Sequence, residues 1–404
     1  MPESTATQAE LTPTRPYIGG QAVLEGVMMR APTSFAIVVR RRDGSLHVRE
    51  RAMSDGRTGF AKLPFVRGIA SLGESLRLGG EALRFSAEQM ERDLDAEEAA
   101  AKKASKGGGV GTAMLNVLRT IGYTLFLLTT ADADTATASD AKVAPDMGPE
   151  LAAAEEKKDE KKGSRAPMTM MVVLMVAFMI ALPQAAAAGI NRWLNLGLDV
   201  QSPGFQALTG GFKLTIVIGY LLLVRNVFAD IRRVFQYHGA EHKTITTYEE
   251  NLPLTVENAR AKTTLHPRCG TTFLVMVALV SILVFTAVGG FLPKIETGNA
   301  ALDNVVFFLE KLPFLPLIAA VTFEIQRIFA RWCTTGPLRV LLWPGFLCQK
   351  ITTIEPDDDQ LEVALASLRV TLFRQNGEDV NAGGDVRYAS FDALMKSPKL
   401  RRAA

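Results

Sequence analysis

The stretch YHGAEHK, residues 237–243, sets His238 and His242 four residues apart with Glu241 between them. On a helix that spacing puts both imidazoles on one face, as two ligands of one metal ion require. Spelled H-x-x-E-H, it matches the pattern of one class of zinc peptidases, in which the glutamate activates a metal-bound water. Gly239 opposes the pairing, because glycine weakens the helix on which it depends. Further along, LHPRCGTT adds His266 and Cys269, so three of the four histidines fall within 29 residues. A third segment, WPGFLCQKITTIE at 343–355, aligns without gaps with 237–249. It matches Gly345 to Gly239, repeats Ile-Thr-Thr, matches Glu355 to Glu249, and sets Cys348 in the place of His242. His238, His242, His266, Cys269 and Cys348 are therefore the candidate ligands of a zinc ion, an imidazole and thiolate set that suits it, with Glu241 as the candidate base. Structural roles compete with this reading: histidines that bond headgroups or helix ends, a His266-Pro267 pair that caps a helix entry, and a cysteine that fills space.

A second unusual stretch is GGQAVLEGVMMR. It sets Glu25 among Val23, Leu24, Val27 and Met28. A carboxylate in apolar company needs a metal, a basic partner such as Arg30, or backbone amides, unless it simply faces water. Glu25 joins Glu241 as a candidate catalytic carboxylate. No phosphate-binding glycine loop, nucleophile elbow or usefully spaced carboxylate pair occurs, so the familiar soluble enzyme classes find no support.

The elements that must position these residues are read from segregation of composition. The 404 residues are 48% hydrophobic and 22% charged, but the charge-free runs are long. Residues 168–190 and 271–293 carry no charge, and 211–229 and 312–332 carry charge only near an end. Roughly 20 apolar residues cross a bilayer as a helix, so four spans are expected. Lys and Arg crowd the stretches before the first span, between the second and third, and after the fourth, which places those stretches and both termini in the cytoplasm. Glu324 and Arg327 are expected to pair within the bundle. The three cysteines lie near that side and should be reduced thiols. No apolar leader opens the sequence, so the spans are expected to direct insertion themselves. A net charge of +3 is too small to indicate nucleic acid.

Ahead of the bundle, residues 1–16 read as disordered. At 17–53 β-rich runs flank Asp43-Gly44, a hairpin signal. The following stretch to residue 90 has apolar residues at helical spacing and a basic face formed by Arg67, Arg77 and Arg84. It suits either a helix on the inner membrane surface or one packed on the β unit. Residues 91–166 read as charged, alanine-rich linkers around an apolar segment at 113–130, interfacial or packed. The bundle occupies 167–332 with a cytoplasmic loop at 230–270, and a cytoplasmic region fills 333–404. The fold class expected is mainly α, a polytopic helix bundle with a small N-terminal β unit, cytoplasmic helices and a parallel repeat with an offset of 106 residues.

The strings GGQAVLEGVMMRAP, PFVRGIASLGESL, YHGAEHK, HPRCGT and PGFLCQKITTIEPDDDQLEVALASL resemble the signature blocks of the YqhQ-like family of uncharacterised bacterial integral membrane proteins. The resemblance covers about 17–90 and 168–373. It implies a metal-dependent enzyme of no known substrate, with His238, Glu241, His242, His266 and Cys269 as metal-linked residues and Glu25 as a supporting acid. The insertions at 91–166 depart from the shorter family connection. The function expected is a zinc-dependent, hydrolase-like activity at the cytoplasmic face of the inner membrane. A scaffold or assembly factor and a small transporter are the alternatives. The partners expected are membrane lipids and a membrane protein or a second copy.

Overall fold

The computed structural model describes residues 15–53, 63, 65–102, 181–293, 295, 297–334, 336–377, 384–397 and 400. The expectations for 1–14 and for the apolar segment 113–130 lie outside these residues.

Strands β1 (Gly19–Val23), β2 (Gly26–Ala31), β3 (Ser34–Arg40) and β4 (Leu46–Ala52) form an antiparallel meander within the expected 17–53. The β3–β4 connection turns at Asp43-Gly44, where Gly44 takes φ +83°, a conformation that costs glycine little. The run FAIVV is continuous rather than alternating because both faces of the sheet are covered. Phe35, Ile37 and Val39 point toward Leu78, Ala82 and Phe85 of helix α1 (Val66–Lys102). Ala36 and Val38 point the other way, into a larger core. Helix α1 thus packs on the sheet, one of its two expected placements. It also runs through 91–102, into the stretch read as linker, where alanine and glutamate favour helix without any apolar stripe.

Residues 181–193 are helical. Helix α2 (Pro203–Val227) follows, capped by the Ser202 hydroxyl, which accepts from the Phe205 amide. At Phe228 the backbone turns extended, with φ −106° and ψ 109°, and helix α3 (Ala229–Glu249) begins. Next come the short α4 (Val256–Arg260), α5 (Gly270–Val288), α6 (Ala300–Lys311) and α7 (Phe314–Trp332). Two helices are long and apolar enough to cross a membrane, Pro203–Val227 and Gly270–Phe291. A third candidate is the pair Leu302–Lys311 and Phe314–Phe329, bent by 46° at Pro313, which has no N–H to continue a helix. Among the described residues there are thus two to three candidate spans, fewer than the four expected. The expected 168–190 lies outside them up to residue 180. The expected 211–229 starts eight residues earlier and stops at the Phe228 break, and 312–332 is one arm of the bent pair. Glu324 pairs with Arg67 of α1, whose Nε lies at 2.7 Å, rather than with Arg327 as its expected partner.

Helices α8 (Trp343–Thr352) and α9 (Asp358–Asn376) complete the core. Asp357 and Gln360 form a capping box at the start of α9. Leu361, Val363, Ala364, Leu365, Ala366 and Leu368 are fully buried, because the sheet lies on one side of α9 and α3 on the other. The buried Ser367 and Thr371 hydroxyls donate to the carbonyls of Ala36 and Met29. A fifth strand, β5 (Gly384–Tyr388), pairs antiparallel with β4 from Leu46↔Tyr388 to Glu50↔Gly384. The short α10 (Phe391–Met395) follows it. The C-terminal region is therefore part of the same sheet and core as the first four strands.

Candidate metal centre

Helix α3 carries His238 and His242 on one face, and its interior glycine has a positional reason. A Cβ on Gly239 would meet the Ile354 carbonyl oxygen at 2.2 Å. The absent side chain lets the segment after α8 cross α3, where the Ile354 amide donates to the Phe235 carbonyl at 3.0 Å. That crossing brings the Thr352 carbonyl to 3.0 Å from His238 Nδ1. Gly345, the counterpart in the aligned segment, is equally close to Thr272 of α5. The two similar segments also touch directly, since buried Lys243 pairs with Glu355 and donates to the Arg260 carbonyl at 2.9 Å.

The loop 261–269 supplies the next pieces. Its Thr264 carbonyl lies 2.5 Å from His242 Nδ1. Gln349 of α8, fully buried, clamps this loop: its Oε1 accepts from the His266 amide at 2.8 Å, while its Nε2 donates to the His266 carbonyl and to Thr272 Oγ1, each at 2.7 Å. The clamp ends at Cys269, the N-cap residue of α5, so its sulfur sits at the positive end of that helix.

His238, His242 and Cys269 converge. One donor atom from each lies within 4.8 Å of the others, with His238 Nε2 at 3.2 Å from Cys269 Sγ. All three side chains are buried. A carbonyl accepts only from a protonated nitrogen, so both Nδ1 atoms carry hydrogen and each Nε2 presents a lone pair. This is the outer arrangement that orients metal-binding histidines. Burial holds the His242 imidazole below its ordinary value, with the neighbouring Cys269 opposing the shift, and a neutral imidazole is the form that binds metal. Two imidazoles and a thiol fit a borderline-soft ion such as zinc, with one coordination position left over.

The other expected site residues lie elsewhere. His266 lies beside His242, ring centroids 5.6 Å apart and planes tilted by 40°, with its Nε2 at 3.3 Å from Glu249; Glu249 also pairs with Arg268. Cys348 is buried outside the three-donor group. Burial, and secondarily the charge of Cys269, push its thiol up to about 12. Glu241 is buried against β1, its Oε1 2.8 Å from where a Gly20 Cβ would stand. Glu25, in the β1–β2 turn at φ +50°, accepts from Arg233 Nε and Nη2 at 2.5 and 2.6 Å and from the Tyr237 hydroxyl at 3.2 Å. Its partner is thus Arg233, whereas Arg30 lies beside Glu74 and Ser75. The residues that sequence reasoning missed are Gln349 and the carbonyls of Thr264 and Thr352; the only signal for Gln349 and Thr352 is their place in the aligned segment 343–355, and for Thr264 its place just before LHPRCGTT.

A relative from Bacillus subtilis (strain 168), "Uncharacterized protein YqhQ", is 29% identical over 359 residues, which cover 88% of this chain and 92% of the relative. No solved structure matches the chain. The family model described as "Protein of unknown function (DUF1385)" matches residues 63–373, and the chain belongs to that family.

Proposed function

We propose that the protein crosses the membrane four times and holds a zinc ion in the His238–His242–Cys269 centre at the cytoplasmic face, where it serves a hydrolytic reaction. The observation that carries the metal assignment is convergence of three donors from two separate segments, each histidine tied by Nδ1 to a carbonyl. Four crossings find support in parity. Strands β4 and β5 share one sheet, so the chain between them crosses an even number of times. The C-terminal end of α2, the N-terminal end of α5, and α8 all gather at the sheet side. The bent α6–α7 pair is then a return crossing, and the helical stretch 181–193 belongs to the first crossing. The Lys and Arg bias supports a cytoplasmic sheet side.

Bound zinc would supply an acidified water or a polarised carbonyl at neutral pH. The residues His238 and His242 would bind through Nε2, and Cys269 through its thiolate. Glu241, the glutamate of the H-x-x-E-H spelling, is the carboxylate that would take a proton; its side chain packs against β1, outside the three-donor group, so this role requires it to turn toward the centre. Burial of all three ligands favours a second reading, in which the ion only pins α3, the loop 261–269 and the start of α5 together.

Metal analysis of the detergent-purified chain tests the assignment. One zinc per chain is expected in the wild type, with loss in His238→Ala and Cys269→Ser; a folded wild type without stoichiometric metal sinks it. Glu241→Gln separates the two readings: the hydrolytic role requires full metal content with lost turnover, and the purely structural role leaves any turnover intact.

A further inference from the structure

Two lysines that belong neither to the metal centre nor to the water-facing surface meet inside the helical bundle. Lys213 of α2 donates from Nζ to Ser281 Oγ of α5 at 3.2 Å. Lys311, at the end of α6, donates to Gln184 Oε1 at 3.1 Å and is only 4% exposed. Its ammonium stands 4.4 Å from the Phe307 ring centroid and 5.3 Å from that of Phe285. Both lysines line one half-open cavity of about 40 Å³. Among the described residues, neither has a carboxylate partner.

The depth of this cavity sets its chemistry. Ser281 lies near the middle of the apolar helix Gly270–Phe291, about 16 Å from either end at 1.5 Å per residue. An ammonium at that depth is costly, and two like charges in low dielectric are costlier still. Neutral oxygens and ring faces offset part of this cost but cancel no charge. The cavity has room for a small group beside the two ammonium groups. A monovalent ion costs less to hold at that depth than a multiply charged phosphate, and a lipid headgroup belongs near the membrane surface rather than at mid-span.

We propose that Lys213 and Lys311, with the Ser281 hydroxyl, form a binding site for a small inorganic anion of the halide class in the middle of the membrane. The anion sits between the two ammonium groups, cancels one of their two charges and screens their repulsion, which lowers the cost of burying them. Sequence inspection assigns Lys311 to a connection between spans; its burial shows it to be part of the bundle.

The test is the apparent Tm of the full chain in detergent, in sodium chloride, bromide and gluconate at equal ionic strength. The expected result is a Tm about 3 °C or more higher in the halides than in gluconate. The double variant Lys213→Met with Lys311→Met should lose the difference and melt in gluconate no lower than the wild type. Should the double variant fail to fold, the wild-type salt comparison and either single variant still decide. A wild type that melts alike in all three salts overturns the site, as does a double variant that keeps the halide response. Stabilisation by added phosphatidylglycerol in gluconate, with no response to halide, also overturns it in favour of a headgroup. The depth argument rests on the membrane reading, whose own failure would show separately in the reporter fusions described below.

Discussion

Single residues decide whether the centre assembles. Gly239→Ala is the sharpest case, because helix propensity alone favours alanine by about 1 kcal/mol, whereas the new Cβ would strike a backbone oxygen at 2.2 Å. The expected net effect is a loss of about 1–3 kcal/mol, read as a lower denaturation midpoint together with reduced metal content. His242 gives the protein a pH dependence. Its imidazole is held below the ordinary 6.5 by burial, so as pH falls the unfolded chain takes up this proton first. Stability is therefore fully present above about pH 6.5. Below that it falls by up to about 1.4 kcal/mol per unit, until His242 itself titrates. Melting of chelated protein at about pH 7.5 and about pH 5.5 should show the drop, and His242→Gln should flatten it. The sequence made the histidine pair legible, since a spacing of four fixes a shared helical face. It could not show that Cys269 completes the group while His266 turns to Glu249, because a loop's side-chain directions depend on contacts such as the Gln349 clamp, 83 positions away.

Elements were legible where their periodicity was simple. The hairpin about Asp43-Gly44 and the apolar runs of α2 and α5 follow from local composition, whereas the cover on both faces of FAIVV shows only in the fold. Helix α9 was not legible as a core element: it is buried around most of its circumference and so shows no single apolar stripe. Leu365→Ala, at a fully buried position of α9, should cost about 2–5 kcal/mol in denaturation by urea. Strand β5 was hidden for another reason, since GDVRY is short, exposed and mostly polar. Truncation after Asn376 should uncover the β4 edge. Hydrogen exchange of the amides from Leu46 to Glu50 should then quicken, because the cross-strand bonds to β5 disappear, and the bare edge should promote association between copies.

At the scale of the whole molecule, the sheet that joins both ends of the described chain limits the topology more than hydropathy does. The expected outcome of reporter fusions is fluorescence from green fluorescent protein placed after residue 404. Alkaline phosphatase should be active when inserted at 194–202 or 295–299 and inactive at 250–255. Activity on the wrong side of any one insertion would break the parity argument. The pairing of β5 with β4 also imposes an order in time. Ser45 and Arg387, bonded at 3.0 Å across that junction, are 342 residues apart in the chain. At about 5–20 residues per second of synthesis, the meander leaves the ribosome roughly 20–70 s before the strand that covers its last edge. During that interval the helices between them are made, so the sheet half of this protein is begun first and finished last, with its apolar helices built in between.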